Sequence, residues 1–245
     1  MIIIGIIPAR YASTRFPGKP LIDIDGKSMI QRVYEQAKKS DCLTDVIVAT
    51  DDKRIEQHVN DFGGKVIMTS ELHQSGTDRC FETMQKYPGK TDIVINIQGD
   101  EPFIHPGQID EVASCFQTPD VQLATLVKQI DSAEELFNVN TPKVVINTNK
   151  EAIYFSRQTI PFIRGAKSED WLKTHVFYKH IGIYAYKAAV LQEITSLKTT
   201  ALEKAEGLEQ LRWIENGYKI KVELTDYESV AVDVPDDLQK LRKFL

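Results

Sequence analysis

The opening stretch leaves this chain few ways to fold. Ile2, Ile3, Ile4, Ile6 and Ile7 form a β-branched run interrupted only by Gly5 and stopped by Pro8. A short run that is apolar on both faces reads as a strand buried in a parallel sheet. The next residues, Ala9 to Lys19, hold Ser13, Thr14, Pro17 and Gly18 and show no helical period, so they read as a loop. That loop leaves the carboxyl end of the first strand, the end at which open α/β sheets hold ligands. It carries Arg10, Arg15 and Lys19, with backbone N–H groups from Ala12, Ser13, Thr14 and Gly18. Three cations and several amides suit an anion with many oxygens, and a triphosphate is the expected ligand. A solvated basic loop would have the same composition.

Charge sharpens that reading. The chain has 245 residues and a net charge of −5, so a basic loop stands out against an acidic background. An acidic surface argues against general binding of nucleic acid or an anionic membrane. Apolar residues make up 42%, enough for one large α/β core. Cys42, Cys80 and Cys115 are scattered and odd in number, which fits neither a zinc pair nor a disulfide framework and suits a reducing cytosol. Met1 leads straight into the strand, with no basic segment and no apolar run long enough for a signal or a membrane span.

Along the chain, Ser28 is positioned to cap a helix to about Ser40, with Met29, Ile30, Val33, Tyr34 and Ala37 on one face. Strands are expected at 45–50, 65–68, 93–97 and 123–127, and helices from Asp51-Asp52 to Phe62, from Ser75 or Thr77 to Tyr87, and over 107–116. The Asp pair suits a positive helix N-terminus. Strand and helix alternate, the doubly wound pattern with a mostly parallel sheet. After Lys128 the texture changes, and strands at 144–146, 153–155 and 179–186 predict a small inserted antiparallel sheet over about 128–190. One helix is expected over 201–217, with Leu202, Ala205, Glu209 and Trp213 on one face. Strands at 222–224 and 230–232 and a helix to Leu245 close the chain. The whole reads as a single domain, 1–245, with that insertion.

Several residues carry potential chemistry. Asp100 follows the buried strand 93–97, and Asp233 stands in the same position after 230–232, before Pro235. Two carboxylates at strand ends, facing a phosphate loop, suit Mg²⁺, which takes one or two carboxylates with phosphate oxygens and water. Helix capping with Asp236 is an equal reading of Asp233. Arg79 follows Ser75-Gly76-Thr77, where glycine lets backbone approach a ligand; a surface arginine on a capped helix is equally consistent. Glu209 lies either within or at the edge of an apolar stripe. His180 shares a strand face with Gly182, Tyr184 and Tyr186. Neither a Walker loop nor a dinucleotide fingerprint occurs.

Ordered along almost the whole chain, these segments resemble one family. Ile7-Pro8-Ala9-Arg10-Tyr11-Ala12-Ser13-Thr14-Arg15-Phe16-Pro17-Gly18-Lys19-Pro20-Leu21 resembles the opening of the CMP-Kdo synthetases, the 3-deoxy-manno-octulosonate cytidylyltransferases. The resemblance continues through 73–79, 96–102, 154–157, 180–184, 208–212 and 232–237. Phe16 stands where Leu is usual, Asp78 where Glu is usual and Val234 where Thr is usual.

The resemblance implies a nucleotide-diphospho-sugar transferase fold with a small dimerisation and sugar-binding subdomain, a cytoplasmic homodimer, and CTP, Kdo and Mg²⁺ as ligands. It implies transfer of CMP to the Kdo anomeric hydroxyl for lipopolysaccharide biosynthesis. By this match Arg10, Arg15 and Lys19 hold phosphates; Pro8, Ala9, Ser13, Ser75, Gly76, Arg79 and Gln98 line the nucleotide site. Asp100 and Asp233 hold Mg²⁺, and Arg157, His180, Tyr184, Glu209 and Gln210 hold the sugar acid. Arg10, Lys19, Asp100 and Asp233 are the catalytic set. A cytidylyltransferase for 8-amino-Kdo or sialate, or a glycosyltransferase using a nucleotide sugar, are the alternatives.

Overall fold

The computed structural model describes residues 1–12, 16–228 and 230–244. The chain runs through β1 (Ile3–Ala9), a hairpin of β2 (Asp23–Ile24) and β3 (Lys27–Ser28), α1 (Met29–Ala37), β4 (Asp45–Thr50), α2 (Lys53–Asp61), β5 (Val66–Met68), α3 (Gly76–Lys86), β6 (Ile93–Asn96) and α4 (Pro106–Ser114). It continues with β7 (Leu123–Gln129), α5 (Ala133–Phe137), β8 (Lys143–Ile146), β9 (Ala152–Ser156), α6 (Trp171–Thr174), β10 (Tyr178–Lys187), α7 (Ala188–Thr195), α8 (Ala201–Glu206), α9 (Gln210–Glu215) and β11 (Ile220–Leu224). Two compact units result: Met1–Ala113 with Ile183–Thr195 and Tyr227–Leu245, and Ser114–Gly182 with Ser196–Asp226.

The first unit is the doubly wound sheet. β1 pairs in parallel with β4 on one side (Ile6 opposite Ile47) and with β6 on the other (Ile6 opposite Asn96). β5 extends the sheet beyond β4, and the last residues of β10 run antiparallel to β6. Ile4, Ile6 and Ile7 are fully buried, as is all of β4, which is why both segments read as unbroken apolar runs. Each buried Ile contributes about 1.5–3 kcal/mol relative to exposure. The helix caps follow the sequence. Ser28 Oγ accepts from Gln31 N at 3.2 Å, Asp52 from Arg54 N at 2.9 Å, and Ser75 Oγ from Asp78 N at 3.1 Å.

Residues 230–232 do not form the expected strand. Val232 N donates one hydrogen bond, to Asp100 O at 2.9 Å. Asp100 lies beyond the end of β6, so no ladder is available, and Val232 is apolar because it packs with Ile24, Met29 and Leu241. A 3₁₀ helix spans Pro235–Phe244 where a helix to Leu245 was expected; Leu245 lies outside the described residues.

The second unit pairs β7 with β11 in parallel, β8 with β9 antiparallel, and β8 with the first residues of β10 antiparallel. Its small core gathers Ile130, Leu136, Trp171 and Phe177. The helix expected over 201–217 is two helices. Gly207 turns left-handed at φ 61° and its N–H closes α8 on Glu203 O, so α9 starts afresh at Gln210. Leu202, Ala205, Glu209 and Trp213 therefore share no single stripe: Leu202 is 37% exposed and Trp213 1%. The Arg212 guanidinium spans the break, bidentate to Glu203 at 2.7 and 2.5 Å. Lys143 is wholly buried, and its ammonium donates to Asn138 O and Arg157 O at 2.8 and 2.7 Å. Burial lowers its pKa.

The cysteines are thiols, and none is in a disulfide. Burial pushes Cys42 up to about 12 and Cys115 to about 11, and Cys80 has no exposed surface. Among the described residues no helix is long and apolar enough to cross a membrane.

Candidate active site

Strand order reverses at β1, whose neighbours are β4 on one side and β6 on the other. Such a switch point opens a crevice at the carboxyl ends of the strands. A cavity of about 270 Å³ lies there. β1 delivers Pro8, Ala9 and Arg10 to it, the exit of β6 delivers Gln98 and Asp100, and the start of α3 delivers Ser75, Gly76 and Arg79. Lys19 and Asp233 complete the wall. The expected Ser13 and Arg15 lie outside the described residues. Pro20, His73, Gln74 and Gly99 also line the cavity and were not singled out from the sequence. A side chain at Gly99 would place Cβ 2.7 Å from Pro8 O, so the two strand ends approach this closely only with glycine.

Lys19 is the electrostatic centre. Its Nζ donates to Asp100 Oδ2 at 2.8 Å and to Val232 O at 2.7 Å, and lies 3.9 Å from Asp233 Oδ1. Both candidate metal carboxylates thus approach one ammonium. Asp237, in the first turn of the following 3₁₀ helix, reaches back: its Oδ2 accepts from Asp233 N and Val234 N at 2.9 and 3.0 Å.

Arg79 is not a surface arginine. It is 4% exposed, and its Nη2 donates to Asp51 Oδ2 at 2.7 Å while Nη1 bonds Thr69 Oγ1. At the mouth, His73 Nε2 meets Glu82, which also accepts from Ser70 N at 2.8 Å and pairs with Lys86 at 2.7 Å. Burial raises the Glu82 carboxyl, but these partners outweigh it and hold the pKa at about 2.

The sugar-side candidates are divided between the units. Within the second unit, Arg157 donates from Nε to Glu206 O at 2.7 Å and from Nη1 to Val139 O at 3.2 Å. The Glu206 carboxylate accepts from Arg157 N at 2.9 Å and Ser156 Oγ at 2.6 Å. Burial raises Glu206, and these bonds more than reverse it, leaving a lowered pKa. Arg157 is thereby fastened to the α8–α9 turn that precedes Glu209 and Gln210. Glu209 occupies the cap position of α9 without capping it, and Gln210 is 5% exposed with no hydrogen-bond partner at Nε2. His180 lies elsewhere in the unit, its Nε2 3.0 Å from Thr125 Oγ1 and its ring edge-on to Phe155 at 5.2 Å. It keeps some surface, yet this low-polarity setting pushes its pKa down to about 3, so the ring is neutral at pH 7. Tyr184 belongs to the first unit, 8% exposed and stacked on Tyr186 at 6.2 Å.

The cytidylyltransferase family model matches residues 4–220. A 3-deoxy-manno-octulosonate cytidylyltransferase of Parabacteroides distasonis is 61% identical, over 100% of this chain and 98% of its own length. That of Bacteroides thetaiotaomicron is 58% identical, over 100% and 98%. A solved CMP:2-keto-3-deoxy-manno-octonic acid synthetase complexed with CTP is 44% identical and superposes with a TM-score of 0.92, over 100% of this chain and 98% of that one. Sequence, fold and the cavity at the strand ends lead to one assignment: the chain belongs to the 3-deoxy-manno-octulosonate cytidylyltransferase family.

Proposed function

We infer that this protein transfers CMP from CTP to 3-deoxy-D-manno-octulosonate (Kdo), giving CMP-Kdo and diphosphate. The observation that carries the reading is the meeting of Arg10, Lys19, Asp100 and Asp233 with Gln98 and Arg79 in one cavity at the switch point. The Kdo anomeric oxygen forms a bond to the α-phosphorus of CTP. The bond from that phosphorus to the bridging oxygen breaks, diphosphate leaves with the electron pair, and the hydroxyl proton passes to solvent. Such a transfer asks for positioning and charge neutralisation, not a protein nucleophile. Lys19 and Arg10 supply fixed positive charge beside the phosphates.

Asp100 and Asp233 are the proposed Mg²⁺ ligands. Their hard oxygen donors approach a common cationic nitrogen, so one cation can serve both. Among the described residues no group of three or more His, Cys, Asp or Glu forms a metal cage, which suits an ion that keeps water and phosphate oxygens in its shell. When bound, it neutralises charge on the phosphate chain. On the sugar side Arg157 uses three of its five N–H groups on carbonyls, leaving donors for a carboxylate. Glu209, Gln210, His180 and Tyr184 supply further polar groups for hydroxyls. Homodimerisation through the second unit is supported by its exposed Ile153, Phe162 and Val176, at 53%, 73% and 46%. That product serves lipopolysaccharide biosynthesis, and the free thiols support a cytoplasmic location.

The test mixes purified protein with CTP, Mg²⁺ and either Kdo, 8-amino-Kdo or sialate, and identifies the nucleotide product by mass. CMP-Kdo with diphosphate is expected. Sialate turnover matching Kdo overturns the substrate, and no diphosphate with any acid overturns the enzyme class.

A further inference from the structure

Asp51 and Asp52 stand side by side where β4 gives way to α2. Adjacent positions at a strand end point to opposite sides, and here each carboxylate takes a different arginine. Asp51 Oδ2 holds the buried Arg79 at 2.7 Å, on the wall of the nucleotide cavity. Asp52 holds Arg54 bidentately, Oδ1 to Nε at 2.9 Å and Oδ2 to Nη2 at 2.6 Å, while Oδ1 also caps α2 by accepting from Arg54 N.

Arg54 is an odd choice for its place. It lies in the first turn of α2, where the helix dipole disfavours a cation. Its guanidinium sits 3.3 Å over the centre of the Tyr11 ring, a cation–π stack. The hydroxyl end of that ring lies against Gly18. Gly18 N donates to Tyr11 O at 3.0 Å, Gly18 has φ 73°, and a Cβ there would lie 3.1 Å from Tyr11 Cζ and Oη. Tyr11 follows Arg10, and Gly18 precedes Lys19. The ring therefore spaces the two cations that flank the phosphate loop, and Arg54 fixes the ring.

Resting on the nucleotide reading above, we propose that the Asp51–Asp52 pair is the positioning centre of the CTP site. Asp51 aligns Arg79 on the nucleoside side. Asp52, through Arg54 and Tyr11, sets the neck of the phosphate loop. None of Asp51, Asp52, Arg54 or Tyr11 touches reacting atoms; they act through Arg79, Arg10 and Lys19.

Calorimetric titration of the full chain with CTP and with CMP, in Mg²⁺, separates the two arms, because CMP lacks the β- and γ-phosphates. Arg54→Ala and Tyr11→Leu are expected to weaken CTP about three- to fivefold, the scale of an exposed cation–π contact, and CMP by less than about twofold. Tyr11→Phe keeps the stack and restores wild-type affinity. Asp51→Asn weakens both nucleotides; if it does not fold, Asp51→Glu, which keeps the charge and displaces the carboxylate, is read in the same way. A merely structural role would lower the melting temperature and shift both nucleotides together. Wild-type CTP affinity in Arg54→Ala, equal losses for CTP and CMP in that variant, or a Tyr11→Phe as weak as Tyr11→Leu overturns the Asp52 arm. Unchanged binding in the Asp51 variant overturns the other. A wild-type protein that binds no CTP overturns the proposed function instead.

Discussion

In the first unit Lys19, Arg10 and Gln98 stand around a cavity of about 270 Å³, and Lys19 pairs with carboxylates. In the second unit Arg157 spends its donors on the carbonyls of Glu206, Val139 and Gly207, and His180 is tied to Thr125. The first arrangement is a charge site open to an incoming anion. The second holds its polar groups in internal bonds, so a sugar acid must use spare donors or exchange one bond for another. Such an exchange is worth only about 0.5–1.5 kcal/mol per bond, whereas a buried donor left without its partner costs more. On the proposed function the anion site would supply most of the rate and the second unit the discrimination.

Removing charge from the first unit has the largest expected effect. Asp100→Ala or Asp233→Ala is expected to lower turnover by about a hundredfold or more, roughly 3 kcal/mol of transition-state stabilisation, measured at saturating Mg²⁺. Near-normal turnover would erase the distinction between the units. Arg157→Ala is expected to raise KM for Kdo about tenfold, or about 1.4 kcal/mol, while KM for CTP stays within about twofold; equal losses for both substrates would blur it from the other side. The pH dependence of unfolding sharpens the picture of the second unit. The native His180 pKa of about 3 lies below the ordinary 6.5, so between these values the unfolded chain binds more protons and stability rises with pH. His180→Gln is expected to remove about 1 kcal/mol per pH unit of that slope near pH 5. The smallest effect is at the cavity mouth. Glu82 is held at about 2 against an ordinary 4.5, so its contribution is present above 4.5 and lost as pH falls through about 2. Its side chain is 19% exposed and screened by solvent, and Glu82→Gln is expected to cost under about 1 kcal/mol at pH 7 in thermal unfolding.

The parallel strands β1, β4 and β6 were legible because burial on both faces leaves a continuous apolar run, and their carboxyl ends located the cavity. Capping by Ser28 was legible because it is local, and for α3 the same local signal narrowed the cap to Ser75 or Thr77, of which Ser75 caps. α5 and α6, at five and four residues, offer too little of a helical period to be seen. The break at Gly207 was hidden because apolar spacing happened to continue across it. Val232 looked like a strand residue because burial, not pairing, selects its side chain. Positioning groups were the least legible. Asp51 acts on Arg79, 28 positions away, and Glu206 on Arg157, 49 away, and neither distance leaves a mark in local pattern. The sugar-side assignments came from family likeness alone.

The two buried thiols, Cys80 and Cys115, make the molecule its own reporter of motion. A thiol with a pKa of about 11, that of Cys115, is a thiolate in only about one molecule in ten thousand at pH 7. Cys80, with no exposed surface, and Cys115, 6% exposed, then wait for opening before they react with alkylating reagents. Cys80 lies in the first unit and Cys115 in the second. Labelling kinetics, followed by mass at each cysteine, will therefore time the breathing of the two units separately, without any engineered probe.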